Sequence, residues 1–256
     1  MNDEILKILL RDQTTLRNII WATSDRSTQE ITLDDVENII PRWQKNRAEQ
    51  KLRTRARAEI FTPPKVCEIQ NNLVIGDTRD LEKFIEAKFL EITCGEAPYI
   101  TSRYNAFDGE AIDFKKRVGI LDRKLHAVSD AGYAFAYQVD LAIAALKSVY
   151  GYEFQGDNLF LARKNIFLTL EEFLSDKLAA KEFKELLPTV AMIISCNLWQ
   201  MDGLKCTIPY ADSNRQSEFD FSGKRIKPQG EIFCKILNWR THELVTFEDL
   251  VKGARK

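Results

Sequence analysis

Apolar positions change their period along this chain. From residue 3 to 21, "DEILKILLRDQTTLRNIIW" repeats them every three or four places, which predicts an amphipathic helix. Thr32 ahead of Asp34 and Asp35 caps a second helix, Pro41 interrupts it, and "RWQKNRAEQKLRTRARAEIF" resumes the pattern. "TPP" ends that stretch, since a residue before proline leaves the helical region. Residues 1–58 therefore read as an N-terminal helical region, an appendage to the remainder of the chain. Beyond it the apolar runs shorten. "KFLEI" (88–92), "SVYGYEF" (148–154) and "VAMIISCNL" (190–198) are rich in β-branched or aromatic residues, and each leads into a loop or helical stretch. Buried parallel strands read this way, so residues 59–256 predict an α/β domain. A helical insert falls around 105–147, and "EIFCKILNW-RTHE-LVTF" near the end predicts a hairpin.

Charge and cysteine usage narrow the class. The 256 residues are 45% hydrophobic and 29% charged, as in globular proteins, and the net charge of −1 gives no global field for a polyanion. Five scattered cysteines without a C-x-x-C, and two histidines far from them in sequence, predict neither a metal site nor a disulfide framework. A reducing cytoplasm fits that usage. The opening "MNDEILKILL" has no cleavage-site pattern, and no apolar run approaches the roughly 18 residues of a membrane span, so a soluble cytoplasmic protein is expected. His126, in a charged helical context, is expected at the surface.

One local surplus stands out from the neutral balance. Arg42, Lys45, Arg47, Lys51, Arg53, Arg55 and Arg57 crowd one stretch against Glu49 and Glu59. It reads equally as a solvated helix face or as a surface for phosphates.

Ligands of open α/β sheets bind beyond the carboxyl ends of the strands. There a small-residue turn lets a ligand approach the backbone, and acids after later strands accept hydrogen bonds from ribose hydroxyls and an adenine amino group. "EITCGEA" supplies the turn, with Glu91, Thr93, Cys94 and Gly95; Glu153 in "YGYEFQGDN" and Asp202 in "NLWQMDGL" supply the acids.

Taken in order, these segments resemble the adenine-specific DNA methyltransferases that serve as modification subunits of restriction–modification systems. "FTPPKV", with Phe61, Thr62 and Pro63, resembles the family's T-P-x-x-V; "EITCGEA" resembles its D-P-x-C-G-x-G, with Ile92 in place of proline and Ala97 in place of the second glycine. "YGYEFQGDNLFLARKNIFL" resembles the acid and the Ala-Arg-x-Asn helix that follow the second strand, and "CNLWQMDGL" resembles the turn after the third. The resemblance implies a Rossmann-like class I sheet and S-adenosylmethionine as cofactor, held by Phe61, Thr62, Pro63, Glu91, Thr93, Cys94, Gly95, Glu153 and Asp202. It further implies DNA as partner, together with a restriction or specificity subunit. The family's N-P-P-Y, which holds the flipped target base, does not occur. "TIPY" is nearest, making Thr207, Pro209 and Tyr210 the catalytic candidates, although it follows Asp202 by only five residues. Two readings stay open: an adenine N6-methyltransferase, and a non-catalytic relative that binds cofactor or DNA.

Overall fold

Parallel strands need long crossovers, and this chain supplies two helical ones. The computed structural model describes residues 1–23, 26–57, 59–60, 62–76, 78–210 and 232–253. Strands β1 (Phe89–Glu91), β2 (Val149–Glu153) and β3 (Leu198–Gln200) form a parallel sheet in the order β1-β2-β3. Glu91 pairs with Gly151, and Glu153 with Gln200, so the first two strands end beside one another. The class is α/β. The sheet is small, and its consecutive parallel strands are compatible with a Rossmann-like arrangement.

The first crossover contains the helical stretch expected around 105–147. Helices α5 (Ile120–Asp130) and α6 (Phe135–Lys147) bury Leu121, Leu125, Ala142 and Ala145 in the same core as the sheet, so 105–147 lies within the connection from β1 to β2. His126 within it is half-buried rather than a surface residue, with Nε2 2.7 Å from the Phe114 carbonyl. The second crossover is α7 (Gly156–Leu174) and α8 (Ala180–Asn197). Here "VAMIISCNL" proves helical up to Asn197. Val190, Ala191, Ile193 and Ile194 are buried while Met192 is exposed, a helical rather than alternating pattern. A short apolar run carries too little periodicity to separate a strand from a buried helix. The expected hairpin forms as β4 (Lys235–Asn238) and β5 (Glu243–Thr246), which pair antiparallel. Asn238 serves its turn by accepting from Arg240 N–H at 3.0 Å.

The N-terminal region differs most from expectation. Helix α1 spans only Asp3–Leu10, because Asp12 turns its carboxylate onto the N–H groups of Thr14 and Thr15 (3.1 and 2.7 Å) and draws the backbone out of the helix. The Thr32–Asp35 cap forms, but it opens a 3₁₀ helix, Leu33–Asn38. Helix α2 is Arg47–Arg57, and Pro63 caps a further helix, α3 (Pro64–Val74). None of this hangs off the sheet. Ile5, Leu9, Leu10 and Ile19 belong to the main core, and α1 packs against α7 and α8. The buried Arg163 guanidinium donates to the carbonyls of Leu9 (2.6 Å), Arg11 (3.0 Å) and Leu198 (2.6 Å), clamping α1 to β3. Gly156 donates to the Trp21 carbonyl at 3.0 Å, and a Cβ at that glycine would sit 2.0 Å from the Ile20 carbonyl oxygen. Only glycine lets these two segments approach so closely.

Burying four such side chains contributes on the order of 6–12 kcal/mol, comparable to the whole stability of a domain. Deleting residues 1–22 is therefore expected to abolish the cooperative thermal transition seen by circular dichroism. A transition near that of the full chain would mark the segment as an appendage.

Candidate cofactor site at the strand ends

The turn after β1 is folded around one acid. Glu91 accepts from the N–H groups of Tyr99 (3.3 Å) and Ile100 (3.1 Å), drawing the chain back over the strand end. Between them Thr93, Gly95 and Ala97 take φ of 46°, 55° and 60°. Two non-glycine residues in the left-handed region cost about 1–3 kcal/mol each, offset by bonds such as Cys94 N–H to the Tyr152 carbonyl at 2.9 Å. Gly95 N–H then donates to Glu153 at 2.9 Å, and the other Glu153 oxygen accepts from Gln155 N–H at 3.1 Å. The acid after β2 and the glycine after β1, predicted as two parts of one site, meet.

These groups are strongly desolvated. Burial, opposed by two backbone N–H bonds and assisted by the Glu153 charge, pushes the Glu91 carboxyl up from 4.5 to about 8. Burial likewise raises Glu153, against its own backbone bonds. The Cys67 thiol is pushed up to about 12 by burial and by Glu91, and Cys94 rises well above its ordinary value for the same reasons. Both thiols stay protonated at neutral pH, so neither is a ready nucleophile.

The remaining predicted residues scatter around this pair. Thr62 and Pro63 lead into α3, whose Asn71 donates to the Tyr99 carbonyl at 3.1 Å and ties that helix to the β1 turn. Phe61 lies outside the described residues. Asp202 caps its own turn by accepting from the N–H groups of Leu204 (3.0 Å) and Lys205 (3.3 Å). Thr207 is buried, its backbone bridged to Asp202 and Phe233, and Pro209 comes two residues later. Tyr210 stands edge-on to Phe154, with ring centroids 5.6 Å apart, one residue past Glu153. "TIPY" thus returns to the end of β2 instead of following a fourth parallel strand.

The basic stretch requires a correction. Three of its seven cations turn inward. Arg53 binds Glu59 at 2.6 Å and Asp157 at 2.8 Å, Lys45 lies 3.6 Å from Asp157, and Arg42 lies 3.5 Å from Glu59. Burial disfavours the charge on Arg53, but Asp157 and Glu59 outweigh it and raise its pKa. Glu96 joins the cluster by accepting from Arg42 N–H at 2.8 Å and from the Tyr104 hydroxyl. Three cations thus meet three carboxylates at the start of α7, and Arg42, Lys45 and Arg53 are committed within the fold. Arg47, Lys51 and Arg55 remain exposed, four residues apart on one side of α2. The Arg57 side chain lies outside the described atoms.

Sequence reasoning missed Asp157, Asn158 and Gln155. Asn158 donates to Glu59 at 3.1 Å, and Gln155 and Asp157 wall a cleft of about 560 Å³ shared with Trp21, Asn38, Lys45 and Arg53. The signal was present in "QGDN", where an acid follows the second strand into a helix. It pointed to a partner for the cations, which no local pattern can identify.

A carboxyl whose pKa is higher folded than unfolded binds more protons in the native state, so stability falls as pH rises between the two values. For Glu91 this contribution is full below pH 4.5 and is lost as pH rises to about 8. Glu91→Gln removes the titration and keeps one acceptor for the turn. Urea denaturation series across that window are expected to show a shallower decline in the variant, by about 1.4 kcal/mol per pH unit at most. Equal slopes in both proteins would contradict the assignment. No family model matches this chain, and no curated protein or solved structure matches it either.

Proposed function

We propose that this chain binds S-adenosylmethionine at the carboxyl ends of β1 and β2. The observation that carries the reading is the 2.9 Å contact from Gly95 N–H to Glu153, which joins the turn after one strand to the acid after its parallel neighbour. The donor set fits the cofactor. Both Glu153 oxygens accept backbone N–H groups, and a carboxylate's four lone-pair sites leave capacity for a ribose hydroxyl. Gly95 brings bare backbone to the same place, and the small-molecule-sized cleft walled by Gln155 and Asp157, although Glu153 and Gly95 do not line it, opens two residues further along the chain. When bound, the cofactor supplies an electrophilic methyl group. The chain's own residues would hold it: Glu153 would accept from the ribose hydroxyls, and the backbone of the 92–97 turn would pack against it.

The target side is incomplete by the same reading. The sequence carries no N-P-P-Y to accept a target amino hydrogen, so we infer a cofactor-binding protein of the DNA adenine methyltransferase type that transfers methyl groups poorly by itself. A second reading, an active enzyme or modification subunit on DNA, draws on Tyr210 at the strand ends and on Arg47, Lys51 and Arg55 as a basic stripe.

Calorimetry with S-adenosylmethionine is expected to give saturable heat. Glu153→Ala should weaken binding by about 1.5–3 kcal/mol, roughly 10- to 150-fold. No heat and no thermal shift at millimolar ligand would remove the cofactor reading. Rapid stoichiometric labelling of duplex DNA by the purified chain would favour the second reading.

A further inference from the structure

The sheet stops at β1. Among the described residues nothing pairs with its outer edge, and an unpaired strand edge is a template for pairing with another chain. The surface beside that edge is apolar. Helix α3 buries Cys67 and Asn71 but presents Val66, Ile69 and Leu73 outward, at spacings of three and four, with Leu73 81% exposed. Val74, Leu90 and Ile92 continue the patch, exposed by 61%, 44% and 63%. A groove of about 350 Å³ runs between α3 and β1, walled by Val74, Leu90, Ile92 and Tyr99. Its one carboxyl, Glu91, is already turned onto the backbone of Tyr99 and Ile100. Together these six exposed aliphatic side chains form an apolar patch on the order of several hundred Å², the size at which patches on monomers are often interaction sites, against the ~800 Å² that each partner contributes to a standard interface.

We propose that two copies of this chain associate across a two-fold axis through the β1 edge and the outer face of α3, joining their sheets. A second copy fits because a two-fold contact must be self-complementary, and this patch is. Antiparallel pairing centred on Leu90 sets Leu90 against its counterpart, Phe89 against the partner's Glu91, and Lys88 against the partner's Ile92. No like charges are directly opposed. The aliphatic stripes of the two α3 helices then cover one another above the joined edge, and the Lys65–Glu68 ion pair stays at the rim. This inference does not depend on the cofactor reading.

Sedimentation velocity on the full chain tests it, with expected convergence at micromolar concentration on twice the 29.5 kDa chain mass. The exposed double substitution Ile69→Glu/Leu73→Glu should weaken association at least about 100-fold, since charge is buried unpaired at the interface, and leave the thermal transition unchanged. Leu90→Cys reads the register: cross-strand Cα separations of about 4.5–5.5 Å lie within disulfide range. Mild oxidation should give a linked dimer whose bridge maps to position 90. A wild-type chain that stays monomeric at the highest concentration overturns the proposal. So does a dimer that survives the double substitution, or one in which Cys at position 90 fails to link, because the contact would then lie elsewhere.

Discussion

The carboxylates of Asp157 and Glu59, neutralised by Arg53 from across the fold, hold the rest of the structure in register. A charge taken out of water costs several kcal/mol, and its partners repay that cost only when geometry and hydrogen bonding are complete. Here they are nearly complete: Arg53 serves both acids, Lys45 adds a second cation to Asp157, and Asn158 donates to Glu59. Such a cluster adds little over an equivalent apolar packing, but it tolerates no missing member. It therefore fixes where α2 sits on the start of α7, and so where the segment before α2 crosses the end of β2.

That placement decides what the strand ends can do. Ile20 exchanges hydrogen bonds with the Gln200 side chain at 2.8 and 2.7 Å, and the Trp21 carbonyl takes the first N–H of α7. The N-terminal chain thus lies over the β2–β3 end of the sheet. The Glu91 and Glu153 turns close the β1–β2 end from within. The cleft beside Gln155 and Asp157 opens between them, and burial raises both glutamates.

Local chemistry was legible in the sequence, and distant pairing was not. "KFLEI" and "SVYGYEF" gave their strands away because β-branched and aromatic residues crowd between helical stretches. The glycine turn and the acid after β2 were visible as residue types at the right places. "VAMIISCNL" misled because so short an apolar run fits a buried helix as well as a strand, and the strand itself was only "LWQ". The early helix stopped short at Asp12, whose carboxylate competes for backbone donors, a contest decided by tertiary packing. Counting cations from 42 to 57 could not reveal that Arg53 has its partner 104 residues away at Asp157. The Ala-Arg-x-Asn pattern carried more than its motif suggested. Arg163 anchors α1, and Asn165 donates to the Glu96 carbonyl at 3.1 Å, steadying the turn after β1.

The claim that the basic stretch is built into the fold, rather than laid out for phosphates, comes down to one pair. A double-mutant cycle on Arg53→Met and Asp157→Leu, read by urea denaturation, isolates it. Buried partners in one network give coupling energies of about 0.5–3 kcal/mol, and this pair is expected in the upper part of that range, with the double variant more stable than either single one. Additive effects within about 0.3 kcal/mol would contradict the buried cluster and return Arg53 to the solvent.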